Sequence, residues 1–175
     1  MFLRLNSGEE LITRIQQELQ AQQPPWPSAL ISGIGSVRKA ELGYYRLDRK
    51  EYLRREFPEV MELVSLSGNV SWLEGRPFVH AHAVLGGEDF RTAAGHLFRA
   101  EVAATAEIFL EETELSLTRR PDATTGLKLL DPGKHQQEAG KQAEASKPDQ
   151  GKSPVEQSKP AEPAKQHSNP PKNQT

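Results

Sequence analysis

The sequence predicts an α+β domain: a mostly antiparallel, twisted sheet of seven to eight strands with one main covering helix, followed by a disordered tail. Three observations carry that expectation. Short runs of alternating apolar residues recur through the first 130 positions, whereas only one segment has helical spacing. The links between the runs are too short for helical crossovers, which favours antiparallel pairing. Composition then changes near Asp131: residues 131–175 hold 7 of the 13 prolines, no Phe, Trp or Tyr, and from the apolar set only Ala139, Ala143, Ala145, Val155, Ala161 and Ala164. Such a segment buries too little apolar surface to offset the entropy of ordering it. The expected division is a globular domain over 1–130 and a Pro/Lys/Glu/Gln-rich tail over 131–175.

The elements follow in order. Phe2 to Leu5 alternates as a short strand. Asn6 or Ser7 can cap the next helix, and Glu9 and Glu10 suit its N-terminus. Leu11, Ile12, Ile15 and Leu19 recur at helical spacing until Gln22-Gln23-Pro24-Pro25 stops the pattern. Ala29 to Val37 reads as a buried strand whose Gly33 and Gly35 permit a bulge or a close backbone approach. Lys39 to Arg46 and Glu51 to Phe57 supply two more strands, the latter ended by Pro58. Met61 to Leu73 is a longer one, with a turn or bulge expected at Gly68-Asn69, and Glu74-Gly75 makes a tight turn. Arg76 to Leu85, Thr92 to Phe98 and Glu101 to Glu111 complete the sheet. Leu115 to Thr118 and Leu127 to Leu130 add edge pairing or surface packing.

Charge and composition exclude several functions. The 22 Lys and Arg against 24 Asp and Glu give a formal net charge of -2, and residues 1–130 alone carry 15 basic and 18 acidic side chains. A domain that grips duplex DNA unaided needs a basic excess, so autonomous DNA binding is not expected. No apolar run approaches a membrane span, and a soluble, cytoplasmic protein is expected. The absence of cysteine excludes disulfides and thiolate zinc sites. Gly33-Ile34-Gly35 and Gly86-Gly87 lack the context of a phosphate cradle, and Ser65 and Ser67 lack a nucleophile elbow. Arg54-Arg55 and Arg119-Arg120 read as solvated rim pairs, and Trp26 and Trp72 as packing anchors.

The histidines are the chemically informative feature. His80, His82 and His96 are the only three in the first 130 residues, and they fall within seventeen positions. His80 and His82 share one face of a strand, with Val79, Ala81, Ala83 and Leu85 on the other. A strand covered on both sides shelters those imidazoles, and a sheltered imidazole needs hydrogen-bond partners or a metal. Two readings stand side by side: a hydrogen-bonded core cluster, or a divalent metal site, zinc first, completed by His96 and by water or a carboxylate. Glu62 and Glu107 are the candidate carboxylates, each otherwise an exposed strand-face acid. No nucleophile or substrate pocket accompanies them in the sequence.

The order of motifs resembles the PPC domain, the plant and prokaryote domain that accompanies AT-hooks in plant nuclear proteins. The resemblance rests on Leu3-Arg4-Leu5, Gly8 to Leu11, Ile31 to Val37, Glu62 to Asn69, Pro77 to His82 and Gly95-His96-Leu97, spanning about residues 1–115. It implies a sandwich-like subunit in a homotrimer, and in stand-alone prokaryotic relatives a metal held by histidines at the positions of His80, His82 and His96. Here Ala94-Gly95-His96 stands where the family has Gly-Gly-His, and no Arg-Gly-Arg-Pro hook is present, so direct DNA binding is not implied. The expected function is a homotrimeric binding and assembly module for a protein or small-molecule ligand, regulatory and DNA-associated by family analogy. The alternative is a small metal-dependent enzyme built on the three histidines.

Overall fold

The structure is a computed structural model and describes residues 1–131. Eight strands and one helix occur among these: β1 (Phe2–Asn6), α1 (Leu11–Gln20), β2 (Ser28–Arg46), β3 (Glu51–Phe57), β4 (Met61–Leu73), β5 (Arg76–Gly86), β6 (Thr92–Thr113), β7 (Arg119–Pro121) and β8 (Lys128–Leu130). All strand ladders are antiparallel. The expected α+β, strand-rich class is observed.

Two strands organise the domain. β2 and β6, 19 and 22 residues long, pair with each other from Ser28–Thr113 to Gly43–His96. The far edge of β2 carries β4 and then β3, and the far edge of β6 carries β1 and β5. Because β4 also pairs with β5, the ladders β2–β4–β5–β6 form a closed cycle. Each long strand therefore replaces two expected ones: Ala29–Val37 merges with Lys39–Arg46, and Thr92–Phe98 merges with Glu101–Glu111. The alternation breaks between them because the strands bend, with register shifts at Gly35/Val37 and Arg38/Glu41 and Lys39 at φ 50°. Gly35 makes the expected close approach: at φ 156°, a Cβ there would lie 2.5 Å from the Thr105 carbonyl oxygen.

Helix α1 buries Leu11, Ile15 and Leu19 against the core of Leu5, Val37, Leu63, Leu66, Leu85, Val102 and Ile108. Its cap is Glu10, not Asn6 or Ser7. The Glu10 carboxylate accepts from the backbone N–H of Ile12 (3.2 Å) and Thr13 (2.8 Å), because Gly8 turns the chain at φ 89° and delays the helix start. Gly68 and Asn69 lie within a continuous β4, not in a turn; the irregularity falls between Leu63 and Ser65.

The C-terminal segment forms a hairpin, β7–β8, anchored on the sheet edge. The N–H of Trp72 donates to the Leu117 carbonyl (2.8 Å), and Lys50 Nζ donates to the Ala123 carbonyl (2.7 Å). The N–H of Asp131 donates to the Thr118 carbonyl (2.8 Å). Beyond Asp131, the expected disorder of the tail lies outside the described residues.

Candidate metal centre

Strand geometry brings the three histidines together. Period-two alternation on β5 sends Val79, Ala81 and Ala83 into the core and puts His80 and His82 on the outer face. His96 on β6 is the direct cross-strand partner of His82, and His80 lies opposite Asn69 of β4. The ring centroids are 5.3 Å apart for His80–His82, 5.1 Å for His80–His96 and 5.6 Å for His82–His96. One nitrogen from each ring lies within 4.8 Å of the others. Gly68 permits this closeness. A Cβ there would stand 2.2 Å from the His80 carbonyl oxygen, so only glycine lets β4 press on β5 at this point.

Shelter is unequal. His80 and His96 are half-buried, whereas His82 is exposed, contrary to the expectation that the strand is covered on both faces. The cover comes from one side: Tyr52 and Phe98 pack on His96 at centroid distances of 5.1 and 4.7 Å, and the hairpin lies beyond His80. Burial pushes the His80 imidazole down to about 4, helped by Arg119 and His82, and burial with His80 and His82 nearby does the same for His96. Both are neutral near pH 7, with lone pairs available. His96 Nδ1 is buried and has no hydrogen-bond partner. That orphaned acceptor disfavours a fully hydrogen-bonded core cluster and fits a metal ligand.

Glu62 and Glu107 are placed elsewhere. Glu62 pairs with Gly86, four residues along β5 from His82 and so roughly 13 Å away at about 3.3 Å per residue. Glu107 lies eleven positions beyond His96 on β6. The two acids line a separate cleft with Ile34, Gly35 and Val64, and neither joins the histidine group.

One residue of the centre is unexpected. Arg119 is not a solvated rim residue: it is 9 % exposed and turned towards the histidines, while Arg120 is exposed and pairs with Asp131 at 2.7 Å. Consecutive strand residues face opposite ways, so the Arg119-Arg120 pair held the signal that one of them turns inward.

Fold and site together define a strand-rich domain with a closed antiparallel ring and a three-imidazole cluster on its outer face. The family model of the Plants and Prokaryotes Conserved (PCC) domain matches residues 1–114, and the chain belongs to that family. It is similar to the plant- and prokaryote-conserved (PPC) protein of Pyrococcus horikoshii, with 39% identity, coverage of 75% of this chain and 90% of that one, and a TM-score of 0.69. A metal-containing protein from Archaeoglobus fulgidus is 41% identical over 74% of this chain and 90% of its own, with a TM-score of 0.67. A protein from Ralstonia eutropha, named as a candidate DNA-binding protein, is 26% identical over 74% and 89%, also with a TM-score of 0.67. No curated protein matches the chain.

Proposed function

We propose that the chain is a cytoplasmic, homotrimeric binding and assembly module whose His80, His82 and His96 hold one divalent metal, zinc first. The observation that carries the metal reading is the orphaned, buried Nδ1 of His96 within a cluster of converging imidazoles. The relative named as metal-containing supports it. An all-imidazole donor set suits zinc among the common divalent ions and leaves a fourth coordination position for water or ligand. The protein's own contribution is to fix the rings on paired strands and to keep two of them unprotonated.

Self-association is supported by an apolar outer face. Phe2, Leu30, Ile34, Val64 and Phe109 are each about half-exposed, and Phe2 packs on Phe109 at 5.2 Å between ring centroids. Large apolar side chains left exposed in this number are a feature of interfaces. A regulatory, DNA-associated role rests on the relatives named for DNA binding. The acidic balance of residues 1–130 assigns any such role to a bound partner and not to direct grip on a duplex. The tail from 131 onward serves as a solubilising extension.

A second reading, a small metal-dependent enzyme, is favoured by one observation: a cavity opens directly beside His80 and His96. Glu62 and Glu107, the candidate carboxylates, line a separate cleft and supply no base beside it.

Elemental analysis of untagged protein tests the metal. Near one zinc per chain is expected, lost in His96→Ala. Less than one metal per several chains, with no uptake on titration, would return the histidines to a structural role.

A further inference from the structure

The hairpin β7–β8 borders a partly open cavity of about 250 Å³ beside the histidine cluster. That is about eight times the volume a water occupies in the liquid, enough for a small organic molecule. Its lining includes the apolar side chains of Phe78, Phe98 and Leu127 and the imidazoles of His80 and His96. Arg119 lies in the same lining, and no Asp or Glu does.

Arg119 is a buried cation with neutral company. Its Nε donates to Ser71 Oγ (2.8 Å), Nη1 to the Lys128 carbonyl (2.8 Å) and Nη2 to Asn69 Oδ1 (3.0 Å). These bonds fix the guanidinium, whose carbon also stands 5.0 Å from the centre of the Phe78 ring. They use three of its five N–H groups and supply no negative charge. Among the described residues no carboxylate pairs with it. A buried charge without a counter-charge is costly, and native proteins pair such charges. Burial also lowers the Arg119 pKa from its ordinary value, the mark of a cation held out of water. The residue lies outside the span 1–114 that the family model matches.

We infer that this cavity binds a small organic carboxylate, with Arg119 as its anion anchor and the Phe78 and Phe98 rings as the seat of its apolar part. The two N–H groups left on one guanidinium match the two oxygens of a carboxylate. The lining is mostly apolar, which favours a carboxylate carried on an apolar body over a free phosphate. The site does not depend on a metal, although a divalent ion on the histidines would strengthen the positive field.

The test titrates the full chain with benzoate, metal-free and zinc-loaded, by calorimetry. Binding is expected in both forms, weakened roughly tenfold or more in Arg119→Gln and unchanged in Arg120→Gln. Benzyl alcohol, neutral but similar in shape, should bind at least roughly tenfold more weakly. In case Arg119→Gln misfolds, the Arg119 Nε–Hε resonance of the wild-type protein gives an independent readout, and benzoate should shift it. Three results would overturn the inference: no benzoate binding up to about 10 mM, benzoate binding indifferent to Arg119, or inorganic phosphate binding in its place. Benzoate binding confined to the metal-free protein would also count against it, whereas failure to load zinc would sink only the metal reading.

Discussion

His80 and His96 each titrate near 4 in the folded chain, well below the ordinary histidine value of 6.5. The folded state therefore refuses protons that the unfolded chain accepts between those limits. The stability this contributes is complete above about pH 6.5 and is lost as pH falls towards 4. Each imidazole accounts for roughly 2 kcal/mol once partial exposure is allowed for. Thermal melts of metal-free protein should show a lower Tm at pH 4.5 than at pH 7, and His80→Gln with His96→Gln should flatten the difference; an unchanged wild-type Tm would contradict this. The histidine cluster was legible from sequence because period-two alternation needs no tertiary knowledge. Arg119 was legible only in part: the Arg119-Arg120 pair signals that one of the two turns inward, but what it turns towards depends on how the hairpin docks, and Glu62 and Glu107 stand away from the cluster because distance along a strand outweighs membership of an apolar run.

At the level of elements, the closest backbone contact near the centre is between β4 and β5 at Gly68. The atoms in the way of a Cβ are backbone, the His80 carbonyl oxygen and Ala81 Cα at 2.8 Å, so no side-chain rotation relieves the clash. Gly68→Ala is expected to cost about 2–3 kcal/mol and to weaken zinc uptake by displacing His80. Denaturant melts and zinc titration check the two effects together. A variant as stable as wild type would mean that β4 yields freely. Most strand positions were readable from alternation, yet Lys39 and the stretch from Arg99 to Glu101 looked like ends of strands. They are bends: β2 and β6 each carry different partners along one edge, and the register shifts that this requires interrupt the pattern.

For the whole molecule, the outer face around Phe109 predicts the assembly. Phe109 lies between Glu107 and Glu111 on the same side of β6, so Phe109→Glu would place three acids side by side. Light scattering at micromolar concentration should give three times the chain mass of 19.5 kDa for wild type and a smaller mass for Phe109→Glu. A wild-type monomer would remove the trimer from the proposed function. The closed ring of β2, β4, β5 and β6 was beyond sequence reasoning, since pairings of β6 with both β2 and β5 are long-range choices that leave no local trace. That closure has a kinetic consequence. The strands that carry the histidines are paired along the ring and are expected to exchange their amide hydrogens slowly, whereas β7 and β8 are three residues each and are expected to exchange by local opening. Exchange measured at the hairpin amides should therefore be faster than at the histidine-bearing strands, so the cavity wall contributed by β7 and β8 would relax without the ring unfolding.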